Sequence, residues 1–215
     1  VSNPQNLALF LENQVNQSKK SEYMDIARIW ADRWTDLCGV TLNINQLNTN
    51  VIFGNHTISL SGVNYITEIF LGLRFRLTTT TFFQVNTHKA ELIVTALIKF
   101  LSRDQTIKFV IDCYCGVGTI SIPLAVGRFS VLGIELNKES VKQARFNSKL
   151  NNVSNIKFKS GDVKEILLSH LGQDTGLVLD PPRKGLDNQV LSAIIEKEPA
   201  KIAYLSCNPE TLSRD

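Results

Sequence analysis

The chain has 215 residues, of which 43% are hydrophobic and 20% charged, with a formal net charge of +3 and an isoelectric point near 8.7. That composition suits a globular protein with one large domain or two small ones, and its mild positive charge permits an acidic partner without requiring one. No apolar run approaches the ~18 residues of a membrane span, the start is unlike a signal peptide, and neither the cysteines (Cys38, Cys113, Cys115, Cys207) nor the histidines (His56, His88, His170) have metal-site spacing; we therefore expect no membrane, no metal, and a reducing, cytoplasmic setting.

Taken in order, the chain opens with Asn3-Pro4, a helix-start signal, and Leu7, Phe10, Leu11 and Val15 fall at helical spacing. Gln17 to Ser21 reads as a polar break. Tyr23, Ile26, Ala27, Trp30, Trp34 and Leu37 make the apolar stripe of a second helix, and at this spacing the two tryptophans read as core rather than as base-stacking groups. From Gly39 the period changes to two: Val40, Leu42 and Ile44 alternate with polar residues. Val51 to Phe53 and Thr57 to Leu60 flank a Gly54-Asn55 hairpin turn, and Ile66 to Leu71 and Leu73 to Leu77 continue the pattern. Residues 39 to about 80 are thus predicted to form a small antiparallel sheet with no helix inside it. Arg74 and Arg76 share one strand face, which suits phosphate contacts and a solvated face equally well.

Asn86 can cap a helix whose buried face is Leu92, Ile93, Ala96, Leu97, Phe100 and Leu101. Beyond it strands and helices alternate, with strands at 109–112, 131–135, 156–158, 176–180 and 201–206. The expected architecture is α/β: a small α+β subdomain over 1–85, comprising the helical start and the sheet, and a Rossmann-like domain with a mainly parallel sheet over 86–215. The chain begins at Val1 and stops at Asp215, just after a motif, and reads as a C-terminally truncated fragment.

In such sheets the ligand lies beyond the carboxyl ends of the strands. Here those ends carry Asp112, Glu135, Asp162, Asp180 and Cys207. The run Val110 to Thr119 joins a strand, a terminal carboxylate and the bend Gly116-Val117-Gly118, where backbone can turn sharply and a ligand can come close. Glu135, 23 residues after Asp112, is placed to accept from ribose hydroxyls. A pyrophosphate site wants G-x-G-x-x-G, whereas Gly118 is followed three residues on by Ser121, and Asp112 would repel phosphate but can pair with the amino group of methionine. S-adenosylmethionine is therefore favoured over a dinucleotide. In Asp180-Pro181-Pro182-Arg183-Lys184-Gly185 two prolines stiffen the loop and fix Asp180, which can accept from the imide N–H of a flipped uracil while Arg183 and Lys184 meet flanking phosphates. In Ser206-Cys207-Asn208-Pro209 a cysteine stands at a strand end beside a helix start, where N–H groups favour a thiolate nucleophile.

Together these residues resemble the RNA uracil-5-methyltransferase family. The resemblance covers about 39 to 215 and rests on Phe82-Phe83-Gln84-Val85-Asn86, Asp112-x-Tyr114-Cys115-Gly116-x-Gly118-Thr119, Gly133-Ile134-Glu135, Leu179 to Gly185, and Ser206-Cys207-Asn208-Pro209. It implies a Rossmann-like, S-adenosylmethionine-dependent methyltransferase that modifies carbon 5 of uracil in RNA. Gln84, Tyr114, Glu135 and Asp180 are implied to contact the cofactor or the target base, with Cys207 as nucleophile and Gly116, Thr119 and Asp162 as further cofactor contacts. The form of the Phe82–Asn86 motif is closer to the ribosomal-RNA branch than to the transfer-RNA branch. Full-length members usually begin with a small RNA-binding barrel, often followed by a four-cysteine iron–sulfur segment, and continue past the cysteine loop to a glutamate base; none of these is present in this sequence, so the fragment is expected to bind cofactor without useful turnover. The rival readings are a cytosine-5 RNA methyltransferase, a non-catalytic RNA-binding fragment and, more distantly, a nicotinamide-dependent oxidoreductase.

Overall fold

A computed structural model describes residues 6–12, 17–45, 53, 54 and 56–215. They fall into two compact units, one over positions 1–69 and 76–81, the other over 70–75 and 82–215.

The first unit departs from expectation at its start. Asn6–Glu12 is a strand, β1, not a helix. An apolar run this short fits either period, and here pairing decides: β1 lies parallel to β2 (Leu37–Ile44) along the whole of its length. The expected polar break belongs instead to the helix α1 (Gln17–Arg33), which makes the crossover between the two parallel strands. β3 (His56–Gly62) adds antiparallel to the other edge of β2, giving a mixed sheet β1-β2-β3. As the central strand β2 buries Val40, Thr41, Leu42 and Asn43 alike, so alternation along it is lost. Buried Asn43 is satisfied by donating to the Gly54 carbonyl (3.0 Å) and the Thr57 hydroxyl (2.8 Å) and by accepting from the Gly54 N–H (2.8 Å). Gly54 must be glycine, because a Cβ there would stand 1.8 Å from the Ile44 carbonyl oxygen. Val51 and Asn55 lie outside the described residues. The stripe on α1 is only partly core: Ala27 is buried, while Trp34 is 44% exposed and meets Trp30 edge-on at 5.5 Å. Of the stripe, only Ala27 is fully covered; its small side chain lets the helix approach the sheet.

β4 (Tyr65–Phe70) and β5 (Leu73–Thr78) form a separate two-stranded hairpin, not an extension of one antiparallel sheet. Leu71 (φ 50°) and Gly72 (φ 74°) make its two-residue turn, both in the left-handed region that such tight hairpins require. The tip of this hairpin, residues 70–75, belongs to the second unit. The Leu71 N–H donates to Glu91 Oε1 (2.7 Å), and the Asn151 side-chain amide pairs with both the N–H and the carbonyl of Arg74 (2.9 and 2.7 Å). Phe70 and Phe75 pack edge-on against each other, and both meet Phe83.

The second unit opens with α2 (Thr87–Ser102), capped by Asn86 as expected: its side chain accepts from the Lys89 N–H at 3.1 Å. The buried face is Ala90, Val94, Leu97 and Leu101; Leu92, Ile93 and Phe100 are 52%, 48% and 39% exposed, so the true stripe is rotated from the expected one. Strands and helices then alternate: β6 (Phe109–Cys113), α3 (Ser121–Gly127), β7 (Ser130–Glu135), α4 (Lys138–Leu150), β8 (Ile156–Ser160), the short α5 (Val163–Ile166), β9 (Thr175–Leu179), α6 (Asn188–Lys197), β10 (Lys201–Tyr204) and α7 (Pro209–Arg214). The five strands are all parallel, in the order β10-β9-β6-β7-β8. β9 is buried at every position, as a central strand covered by helices on both faces should be. Leu132, Ile134, Leu177 and Leu179 form a core with Val163, Leu167, Val190 and Ala193 from the helices. The chain winds outward from β6 through β7 to β8, then returns to β6's other side with β9 and β10. That reversal creates a crevice between the carboxyl ends of β6 and β9. Among the described residues no helix is long and apolar enough to cross a membrane.

Candidate active site

The turn after β6 lines one side of the crevice. Tyr114 (φ 64°), Gly116 (φ 54°) and Gly118 (φ 89°) are all left-handed, and for tyrosine that conformation carries strain. The turn is held on three sides. The Cys115 N–H donates to the Ile134 carbonyl (3.1 Å), the Gly118 N–H to the Cys115 carbonyl (2.9 Å), and the buried Asn147 amide to the Val117 carbonyl (3.3 Å). A Cβ on Gly116 would meet nothing within 4 Å, so this stretch of backbone is open to a ligand. Gly133 in β7 is glycine for the opposite reason: a Cβ there would lie 2.5 Å from the Phe158 ring and 2.9 Å from Cys115 Sγ.

Glu135 stands at the end of β7. Its Oε2 accepts from the Gly116 N–H (3.1 Å) and its Oε1 from the Asn137 N–H (2.8 Å), so the carboxylate is oriented before any ligand arrives and each oxygen keeps a free lone pair. Asp162 caps α5, accepting from the Lys164 N–H (3.2 Å) with the Lys164 ammonium 3.5 Å away. Asp112, expected from the sequence to pair with the amino group of methionine, does not stand open at the strand end. It is wholly buried, and its Oδ2 accepts the Ser121 hydroxyl, while Oδ1 is buried without a hydrogen-bond partner. Burial pushes its carboxyl up to about 7, against the Ser121 hydrogen bond, and the nearby Asp180 and Glu135 carboxylates add to the rise. Burial also raises the Asp180 carboxyl.

Two cavities adjoin here. The smaller, about 40 Å3, is bounded by Phe82, Phe83, Gln84, Tyr114, Gly116, Thr119 and Asp180, among others. The larger, about 340 Å3, is bounded by Gln84, Asn86, Lys89, Thr119, Asp180, Ser206 and Cys207 together with apolar residues that include Phe70 and Ile93. Gln84, Thr119, Ile120 and Asp180 line both. Cys207 is a free, exposed thiol at the larger one. The fold thus gathers Gln84, Tyr114, Gly116, Thr119, Asp180 and Cys207 around one crevice, with Glu135 bonded to its rim through Gly116. Asp162 stands farther along the sheet edge, after β8, and lines neither cavity. The sequence does not mark Asn137 or Lys89 as functional, and it offers Ser121 only as the departure from the pyrophosphate motif. Ser121 sits one helical turn past the glycine bend and Lys89 at the third position of a capped helix, which are the signals that could have found them. Glu210, the carboxylate nearest Cys207 in sequence, is exposed in the first turn of α7, with its N–H donated to Asn208 Oδ1 (3.1 Å). Among the described residues no cluster of three or more His, Cys, Asp or Glu side chains could hold a metal.

A parallel, doubly wound sheet with a glycine turn and an oriented acidic residue on its second strand defines a Rossmann-like fold of the S-adenosylmethionine-dependent methyltransferase class. The family model described as tRNA (uracil-5-)-methyltransferase matches residues 25–215, and the chain belongs to that family. A protein described as an uncharacterized RNA methyltransferase from Parasynechococcus marenigrum is 44% identical over 191 residues, which is 88% of this chain and 41% of the relative. One with the same description from Gloeobacter violaceus is 44% identical over 203 residues, 94% of this chain and 43% of the relative. The chain thus spans about two fifths of the length of these relatives. Among solved structures, the Pyrococcus abyssi tRNA (uracil-54, C5)-methyltransferase in complex with S-adenosyl-L-homocysteine superposes with a TM-score of 0.76 at 27% identity, covering 98% of this chain and 49% of that one.

Proposed function

We propose that the protein methylates carbon 5 of uracil in RNA, with S-adenosylmethionine as methyl donor and Cys207 as covalent catalyst. The observation that carries this reading is the pair of adjoining cavities that share Gln84, Thr119 and Asp180, one beside the glycine turn and the other beside Cys207. A donor and an acceptor can meet across that shared wall.

The residues suit the cofactor. Gly116 leaves backbone open, Glu135 presents oriented lone pairs, and the carboxylates Glu135 and Asp180 favour a cation over a pyrophosphate. When bound, S-adenosylmethionine supplies an electrophilic methyl group on a cationic sulfur. Glu135 holds the ribose; Tyr114, Gly116, Thr119 and Asp162 complete its surroundings. In the larger cavity Asp180 and Gln84 orient the uracil edge. The Cys207 thiolate forms an Sγ–C6 bond as the C5–C6 π pair moves onto carbon 5; carbon 5 would then bond the methyl carbon while the S–CH3 bond breaks, its electron pair staying on sulfur so that S-adenosyl-L-homocysteine leaves. A base then removes the carbon-5 proton, the C5–C6 double bond re-forms and the thiolate leaves. The base must leave its stack to enter, which costs a few kcal/mol unless it is already unpaired.

Ribosomal RNA is our assignment for the substrate, on the form of Phe82 to Asn86; the family description and the Pyrococcus abyssi relative name transfer RNA. The test is methyl transfer by the intact protein to ribosomal and transfer RNA and to uridine-rich and cytidine-rich oligonucleotides. 5-Methyluridine in ribosomal RNA is the expected product. 5-Methylcytidine would overturn the reaction, and 5-methyluridine confined to transfer RNA would overturn the substrate.

A further inference from the structure

The loops that carry Asp180 and Cys207 follow neighbouring strands, β9 and β10. Both converge on the end of α7. Asp215 Oδ2 accepts from the Tyr204 hydroxyl (2.7 Å), at the end of β10, and from the Leu186 N–H (2.7 Å), at the end of the Asp180 loop. Arg214 donates to the Lys184 carbonyl (2.9 Å) and holds Asp215 Oδ1 (2.6 Å). The Asp215 side chain is wholly covered. Between these contacts sits Gly185 (φ 78°), where a Cβ would lie 2.5 Å from both Arg214 Nη2 and Asp215 Oδ2. The positive φ alone favours glycine at this position, and the side chains at the end of α7 fill the space beside it.

We infer that Arg214 and Asp215 form a clamp that fixes the distance between Asp180 and Cys207, with Tyr204 as its link to the cysteine strand. These are positioning residues, since none of them lines either cavity. The inference rests on the proposed reaction, in which the base oriented by Asp180 must meet the Cys207 sulfur. A carboxylate accepting two hydrogen bonds and an ion pair is a stiff joint. Misplacing reacting groups by about 1 Å can cost 100-fold in rate. No hydrogen bond joins Arg214 or Asp215 to the glycine turn, and Tyr204 interacts with Tyr114 of that turn only through its field, so the cofactor side should change little when the clamp is loosened.

The test uses the intact protein with Tyr204→Phe, which removes one hydroxyl and keeps the ring, and Asp215→Asn, which removes the charge. The readouts are covalent capture of 5-fluorouridine RNA, where fluorine cannot leave as a proton does, and calorimetric titration with S-adenosyl-L-homocysteine. We expect adduct formation to slow by about 10- to 100-fold in both variants, with kcat falling more than KM, cofactor affinity within twofold of wild type, and partial recovery in Asp215→Glu. Wild-type adduct rates in Tyr204→Phe and Asp215→Asn would overturn the clamp and leave the reaction standing. Parallel loss of adduct and cofactor affinity would also overturn it, since that is what general loosening produces. No adduct with wild type, cofactor binding intact, would overturn the reaction itself.

Discussion

Asp112 makes stability depend on pH in a direction opposite to that of most acidic residues. Its carboxyl, ordinarily at 3.8, is raised to about 7 by burial and by its carboxylate neighbours. The fold therefore favours the protonated form. Stability from this group is fully present below about pH 4 and is lost as pH rises through about 7. The rise corresponds to about 4 kcal/mol in total, at 1.36 kcal/mol per pH unit, of which about 2–3 kcal/mol falls between pH 5 and pH 8. The partnerless Oδ1 fits this direction, since a buried carboxylate with one oxygen unpaired is costly and a neutral acid much less so. Asp112→Asn keeps the shape and an acceptor for Ser121 but cannot ionise. Urea unfolding at pH 5, 6, 7 and 8, without cofactor, should show the wild type losing stability relative to Asp112→Asn as pH rises, by about 2–3 kcal/mol across the range. Asp180, also raised by burial, acts in the same direction in both proteins; because its carboxylate interacts with that of Asp112, it cancels in the difference except for that mutual repulsion. Parallel pH profiles for the two proteins would refute the argument.

Glu135→Ala should weaken S-adenosyl-L-homocysteine binding by roughly 1.5–3 kcal/mol, the range for hydrogen bonds to charged groups, and unchanged calorimetric affinity would remove Glu135 from the site. Cys207→Ala in the intact protein should abolish turnover and leave cofactor affinity nearly unaltered; retained 5-methyluridine formation would exclude the covalent route. Gly133→Ala forces a methyl group against Phe158 and Cys115 and should cost about 1–3 kcal/mol in denaturant unfolding, whereas a neutral result would mean the Phe158 ring yields freely.

The second unit was legible because its signals are local and repeated. β6, β7 and β9 are short apolar runs that carry a carboxylate at or just past their ends, and α4 and α6 are long enough to show their period. Even there the buried face of α2 was misplaced, since Leu92, Ile93 and Phe100 fit a helical stripe as well as Ala90 and Val94 do, and only packing chooses. The first unit was harder. β1 pairs with β2 across the length of α1, and no local feature of Asn6–Glu12 announces a partner that far along the chain. Asp112 was legible as a strand-end carboxylate; its burial was not, because Ser121 reaches it only once the glycine turn has folded back.

The strand order explains how motifs far apart in sequence come to face one another, and why the proposed chemistry divides as it does. β7 and β8 lie on one side of β6 and bring Glu135 and Asp162; β9 and β10 lie on the other and bring Asp180 and Cys207. The first pair suits a nucleoside and the second a base to be modified. β6, between them, supplies the glycine turn, which lies in reach of both. Asp180 follows the strand adjacent to β6 on the far side of the reversal, so among the five strand-end residues it is the one bordering both cavities. A doubly wound sheet has a single such position next to its first strand. In this chain Asp180, held by the Asp180-Pro181-Pro182 sequence, occupies it, and with Gln84, Thr119 and Ile120 it lines both cavities.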